Sequence, residues 1–194
     1  MDSRTALLDA AAEEFARGGL KGTRIREIVQ RSGVSERMIY HYFGSKEGLF
    51  RAVIEHEFGG VGQAWREMLA RAREMAPYDG VRLAFSTHFD LMHSRPLLIA
   101  LAIQEGVGGW SARPPLEAES LPANLRQLYE QGVAEGVFRG DVDFDVLYAT
   151  AVVTLMMTPG MAGRFPSLTA DRGMDGLREQ LLTLLMDGLT GGRT

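Results

Sequence analysis

The chain has no cysteine, so disulfides, thiol chemistry and cysteine-ligated zinc are all excluded. It also lacks any apolar run near the ~20 residues of a membrane-spanning helix. The longest, residues 149–157, is interrupted by Thr150 and Thr154. The opening Met1-Asp2-Ser3-Arg4 is polar and carries no signal-peptide pattern. A cytoplasmic chain is therefore expected. His88 and His93 stand five apart and share a helix face poorly. No His, Asp and Glu set has metal spacing, and no glycine-rich loop follows a strand pattern. No metal, cofactor or catalytic set is read from these residues, and no enzyme is expected. Lysine is nearly absent, occurring only at Lys21 and Lys46; the arginine excess is read as genomic composition.

What is present is 194 residues, 45% of them hydrophobic, with net charge −4. That length allows one large or two small domains with real cores. Residues 21–46 depart from the acidic whole. They carry six basic side chains (Lys21, Arg24, Arg26, Arg31, Arg37, Lys46) against Glu27 and Glu36, a net +4, leaving −8 for the rest. Such a patch suits a few phosphate contacts rather than general nucleic-acid binding.

The same stretch reads as two short helices, 24–31 and 36–42, joined by a tight turn. Gly33 can take the left-handed conformation that ends a helix, and Ser35 can cap the next by accepting from a free amide. Helix, short glycine turn and helix is the geometry that seats a recognition helix in a DNA major groove. On the second helix Ile39 and Phe43 fall on one side, with Val34 from the turn. Arg37 and His41 fall on the other, flanked by Met38 and Tyr40. Arginine pairs with guanine, and histidine and tyrosine reach base edges or phosphates.

These residues resemble the DNA-binding domain of the TetR family of bacterial transcriptional regulators, over about residues 4–50. The landmarks are a helix over 6–17 with Phe15 inward, then Gly19, Thr23, Ile28, Gly33-Val34-Ser35, Ile39 through Phe43, and Ser45-Lys46-Glu47-Gly48-Leu49. Gln30-Arg31-Ser32 departs from the small alanines frequent in the family, and His41-Tyr42 inverts its usual Tyr-His order.

The resemblance implies roles only at matching positions. Thr23 starts the second helix and contacts a phosphate, as do Ser35, Tyr40, Tyr42 and Lys46. Lys46 also begins a helix capped by Ser45, where free amides favour an anion. Arg37, Met38 and His41 face bases. Glu36 either accepts from cytosine or complements the helix dipole.

Beyond residue 50 the pattern stays helical and no strand series appears. Residues 49–58 continue a linking helix that Gly59, Gly60 and Gly62 are expected to break. Segments 61–75 and 81–93 follow, divided by Pro77-Tyr78-Asp79-Gly80. Pro96 opens a helix over 97–105, and a loop follows through Gly106, Gly108-Gly109 and Arg113-Pro114-Pro115. Residues 121–135 form the next helix, closed by Gly136. Residues 142–157 follow, capped by Asp143 or Asp145 and ended or loosened by Pro159-Gly160; the last helix spans 175–189.

The fold expected is all-α: a three-helix helix-turn-helix DNA-binding domain over residues 1–48, and a helical ligand-binding and dimerisation domain over residues 49–194. The last two long helices show apolar stripes too wide for one neighbour, which suits a four-helix bundle across a two-fold axis. By analogy with the family, a small, largely apolar effector binds among the middle helices. The candidate lining is Trp65, Phe85, His88, Phe89, Met92 and Gln104, with Trp110, Tyr129 and Met156. Methionine and aromatics make adaptable walls, and His88, Gln104 or Tyr129 orients a polar group.

The expected activity is a ligand-responsive, homodimeric regulator that binds a double-stranded DNA operator, as a repressor released by its effector. A small-molecule binding protein with a vestigial DNA-binding domain is the alternative.

Overall fold

Helix after helix follows the capping chemistry of the sequence. The computed structural model describes residues 2–107 and 116–191 and contains no strand among them. The chain divides into two compact units, Met1–Val61 with Arg95–Pro115, and Gly62–Ser94 with Leu116–Thr194.

In the first unit, α1 (Ser3–Gly22) buries Leu7, Leu8, Ala11 and Phe15 along one face. α2 (Ile25–Ser32) begins where the Glu27 carboxylate accepts the Arg24 N–H at 3.3 Å. It ends at Gly33, whose φ of 68° is left-handed and whose N–H donates to the Val29 carbonyl. α3 (Glu36–Phe43) buries Ile39 completely. The Ser45 hydroxyl then accepts the Gly48 N–H at 3.0 Å, capping α4 (Lys46–Ala72) as expected. A Cβ on Gly48 would lie 2.0 Å from the Phe43 carbonyl oxygen, so this tight entry excludes every other residue. α6 (Pro96–Val107) belongs to this unit and packs on α1. Leu101 joins Phe15, Ile28, Ile39 and Leu49 in one core.

In the second unit, α5 (Pro77–His93) packs against α7 (Leu116–Ala134), α8 (Phe144–Met161) and α9 (Gly173–Thr190). Its core joins Phe85, Phe89, Leu128, Leu155 and Leu182. Asp143 caps α8 by accepting from the amides of Asp145 and Val146 at 2.9 and 3.1 Å. Arg178 on α9 bonds Asp90 on α5 at 3.0 Å.

Several boundaries differ from the sequence reading. α4 runs through Gly59, Gly60 and Gly62 without a break. Each interior glycine costs roughly 1 kcal/mol relative to alanine. α4 buries Val53 and Ile54 in the first core and Met68 and Ala72 in the second, and that burial on either side outweighs the cost. α5 begins at Pro77 rather than at 81, because proline at the first helical position needs no amide partner. α7 begins before Pro122, and α8 continues through Pro159 to Met161.

By length and composition α8 is apolar enough to cross a bilayer, which the run-length reading had not anticipated. It packs on α5, α7 and α9 but keeps one side open: Val146 is 64% and Val153 55% exposed. On α9, Leu184 is 69% exposed.

Candidate functional site

α3 separates its faces as a short recognition helix must. Ile39 points into the core, while Ser35, Glu36, Arg37, Tyr40, His41 and Tyr42 are exposed. The Tyr40 hydroxyl donates to the Glu36 carboxylate one turn earlier at 3.4 Å. His41 and Tyr42 hold their rings 5.2 Å apart, and Arg4 lies over the Phe43 ring at 5.6 Å. Lys46 is half-buried at the start of α4.

Four expectations need correction. The first concerns Thr23, which is only 4% exposed and precedes the Arg24 N-cap instead of starting α2. Its hydroxyl donates to the Glu14 carbonyl at 2.9 Å and its amide to the Gly19 carbonyl at 3.3 Å, so neither points outward. Second, the Ser35 hydroxyl makes no capping bond. The Met38 amide, the one such a cap serves, already donates to the Ser35 carbonyl at 3.0 Å. Third, Met38 is half-buried against the first core, because it neighbours Ile39 on the inward side.

The fourth correction is electrostatic. Arg31 bonds Glu14 at 2.7 Å and Glu13 at 2.6 Å, and Arg17 joins the same two carboxylates. The Glu14 bond, first of all, raises the Arg31 guanidinium pKa further. Its charge therefore serves to tie α2 to α1 and leaves the outward patch weaker than the count of residues suggests. At the start of α4, Glu47 bonds its own backbone amide and the Ser45 hydroxyl, which holds its carboxyl below the usual range. A carboxylate of the chain itself thus shares the helix start that Lys46 was expected to offer a phosphate.

The second unit contains a cavity of about 270 Å³. Trp65, Phe85 and His88 line it as expected. Trp65 stacks on the His88 ring at 5.5 Å and 30°. His88 is 8% exposed, and neither ring nitrogen has a hydrogen-bond partner. Burial pushes its pKa down to about 4. The Val152 carbonyl acts weakly in the opposite direction without completing a hydrogen bond.

The remaining expected lining residues lie elsewhere. Phe89 belongs to the packed core, and Met92 is buried away from the cavity. Met156 is half-buried on another face of α8. The Tyr129 hydroxyl donates to the carbonyls of Arg139 and Val142 at 3.0 and 2.8 Å, clamping the approach to α8. Gln104 belongs to the first unit, where its side chain covers Gly19. Trp110 lies outside the described residues.

Sequence reasoning missed Tyr148, Val152 and Leu155, which line the cavity from α8. Their i, i+4, i+7 spacing was the available signal. Among the described residues no His, Asp and Glu group is placed to hold a metal.

A three-helix unit with an outward polar recognition helix, joined to a helical unit with a cavity, defines a one-component regulator. Residues 7–53 match the bacterial regulatory proteins of the tetR family, and residues 77–159 match the tetracyclin repressor-like C-terminal domain. The chain is 32% identical over 145 residues to the HTH-type transcriptional repressor NicS of Pseudomonas putida, covering 72% of this chain and 68% of that protein. It is 29% identical over 193 residues to the repressor KstR2 of Rhodococcus jostii, covering 96% and 90%. A TetR family regulator from Marinobacter aquaeolei superposes with a TM-score of 0.75 at 24% identity, over 96% of this chain and 95% of that one. At that identity the superposition speaks for the fold alone. The chain belongs to the TetR family and is a DNA-binding transcriptional regulator.

Proposed function

We propose that the chain is a homodimeric cytoplasmic repressor that a small effector releases from a double-stranded operator. The observation that carries the reading is the division of α3: Ile39 fully buried, Arg37, Tyr40 and His41 outward. Arg37 and His41 are assigned to base edges. Ser35, Tyr40, Tyr42 and Lys46 are assigned to phosphates, and Glu36 to holding Tyr40. Thr23 and Met38 act as support from the interior.

One such helix covers a half-site, so two are needed about one helical turn apart. The open apolar sides of α8 and α9 at Val146, Val153 and Leu184 support pairing with a second copy. The effector occupies the cavity beside His88. It favours a state in which the two recognition helices no longer match successive grooves, and only its differential affinity for the two states weakens operator binding. The continuous helix α4 contributes residues to both units and is the element through which that preference is transmitted.

Two substitutions test the assignment on a selected operator and on random duplex. Arg37→Ala should weaken specific binding by about 1–3 kcal/mol and relax preference at one base position, whereas Lys46→Ala should weaken both duplexes alike. Equal losses on both duplexes for Arg37→Ala would reject its base-reading role.

A further inference from the structure

The cavity in the second unit has a chemical character that its place in the fold does not dictate. Its walls are apolar except for the His88 imidazole and the Tyr148 phenol. Both His88 nitrogens are without partners, and the Tyr148 hydroxyl makes no hydrogen bond among the described residues. A buried imidazole presents one donor and one acceptor. Leaving both unpaired destabilises the empty protein. Trp65 stacked over the ring fixes the plane in which a partner must arrive.

We propose that this cavity takes a small neutral effector of single-ring size whose hydroxyl group pairs with His88, as a phenol or a cyclic alcohol would. The inference rests on the effector-responsive reading given above and adds the class of ligand.

Size is the first argument. An apolar cavity of about 150 Å³ holds benzene, so about 270 Å³ holds one substituted ring and excludes a nucleotide-bearing or multi-ring molecule. Charge is the second. Neither lysine nor arginine lines the cavity, and with its pKa near 4 the His88 ring is neutral at physiological pH. Trp65 from α4, Leu125 from α7 and Val152 from α8 bring no charge, and burial raises the Tyr148 pKa above its ordinary value, so it stays a neutral phenol. A carboxylate would enter without a counter-charge, at a desolvation cost the walls do not offset. A hydroxyl meets both sides of the requirement. It donates to the bare ring nitrogen or accepts from the N–H, and the ring it is attached to fills the apolar remainder.

The test uses the full-length protein and three probes of similar shape (phenol, toluene and benzoate) titrated by calorimetry at pH 7. Phenol is expected to bind about tenfold tighter than toluene, the value of one well-placed hydrogen bond, with benzoate weakest. In His88→Phe the advantage of phenol over toluene should fall to about twofold while toluene still binds. Should that variant not fold, ring-nitrogen resonances of His88 in the unaltered protein report the same contact. They should shift with phenol, saturating at its Kd, and stay put with toluene.

Equal binding of phenol and toluene, tighter binding of benzoate, no phenol binding, or an advantage that survives His88→Phe would each overturn the proposal. Operator binding followed in parallel separates the two claims. Benzoate releasing DNA while phenol does not sinks the ligand class and keeps the regulator. Phenol bound through His88 with the operator complex unchanged keeps the ligand class and sinks the effector-released reading.

Discussion

Acid should destabilise this protein through one side chain. His88 has a pKa of about 4 in the folded chain, because burial penalises its charged form, against about 6.5 once unfolded. The unfolded state therefore binds the proton more readily. The contribution of neutral His88 is fully present above pH 6.5, is lost progressively as pH falls from 6.5 toward 4, and changes no further below that. The whole displacement corresponds to about 3 kcal/mol, and the step from pH 7 to pH 5 to about 2 kcal/mol.

His88→Phe removes the titration while keeping an aromatic ring against Trp65. Urea unfolding followed by circular dichroism, for both proteins at pH 7 and pH 5, isolates the effect. His41, His56 and His93 are present in both proteins and drop out of the comparison. The unaltered protein should lose about 2 kcal/mol more than the variant over that interval. His88→Phe should also be the more stable of the two at pH 5, since it carries no unpartnered nitrogens. Equal losses in the two proteins would refute the buried, unpaired state of His88.

Three further substitutions probe separate parts of the account. Tyr129→Phe leaves the Arg139 and Val142 carbonyls without their shared donor and should cost about 1–3 kcal/mol in chemical denaturation; a change of a few tenths would mean water replaces the hydroxyl freely. Gly33→Ala forces a side chain into a left-handed φ of 68° and should cost about 1 kcal/mol. An unchanged midpoint would mean that the turn relaxes without penalty. Leu184→Asp places a charge on the open side of α9 and should shift sedimentation from dimer to monomer with helicity retained; an unaltered dimer would move the interface elsewhere.

Much of the first unit was legible because its signals are local. Gly33 ends a helix by its own conformational freedom, Ser45 caps α4 with its own hydroxyl, and the period of Ile39 against Arg37 and His41 orients α3 without knowledge of any neighbour. What depended on distant partners was not legible. Thr23 looked like a surface hydroxyl until the Glu14 carbonyl nine residues away was seen to accept it. Arg31 counted toward the basic patch until Glu13 and Glu14 were found beside it.

The glycines near residue 60 read as a break, because helix propensity is local while the burial that carries α4 through them is not. The cavity shows the same limit. Trp65, Phe85 and His88 were chosen for their chemistry and line it, whereas Tyr129 and Phe89 share that chemistry and serve the core instead. Which aromatic meets empty space is decided by the packing of four helices, and a single helix period does not contain it.

The most direct measurement is fluorescence anisotropy of the purified protein on labelled DNA flanking its own coding region, with random duplex as competitor, at two salt concentrations. A sequence-reading repressor should bind tightly, resist the competitor, and lose affinity with salt only to the extent of a few phosphate contacts. Weak binding that random duplex abolishes at either salt would contradict the claim that α3 reads an operator there.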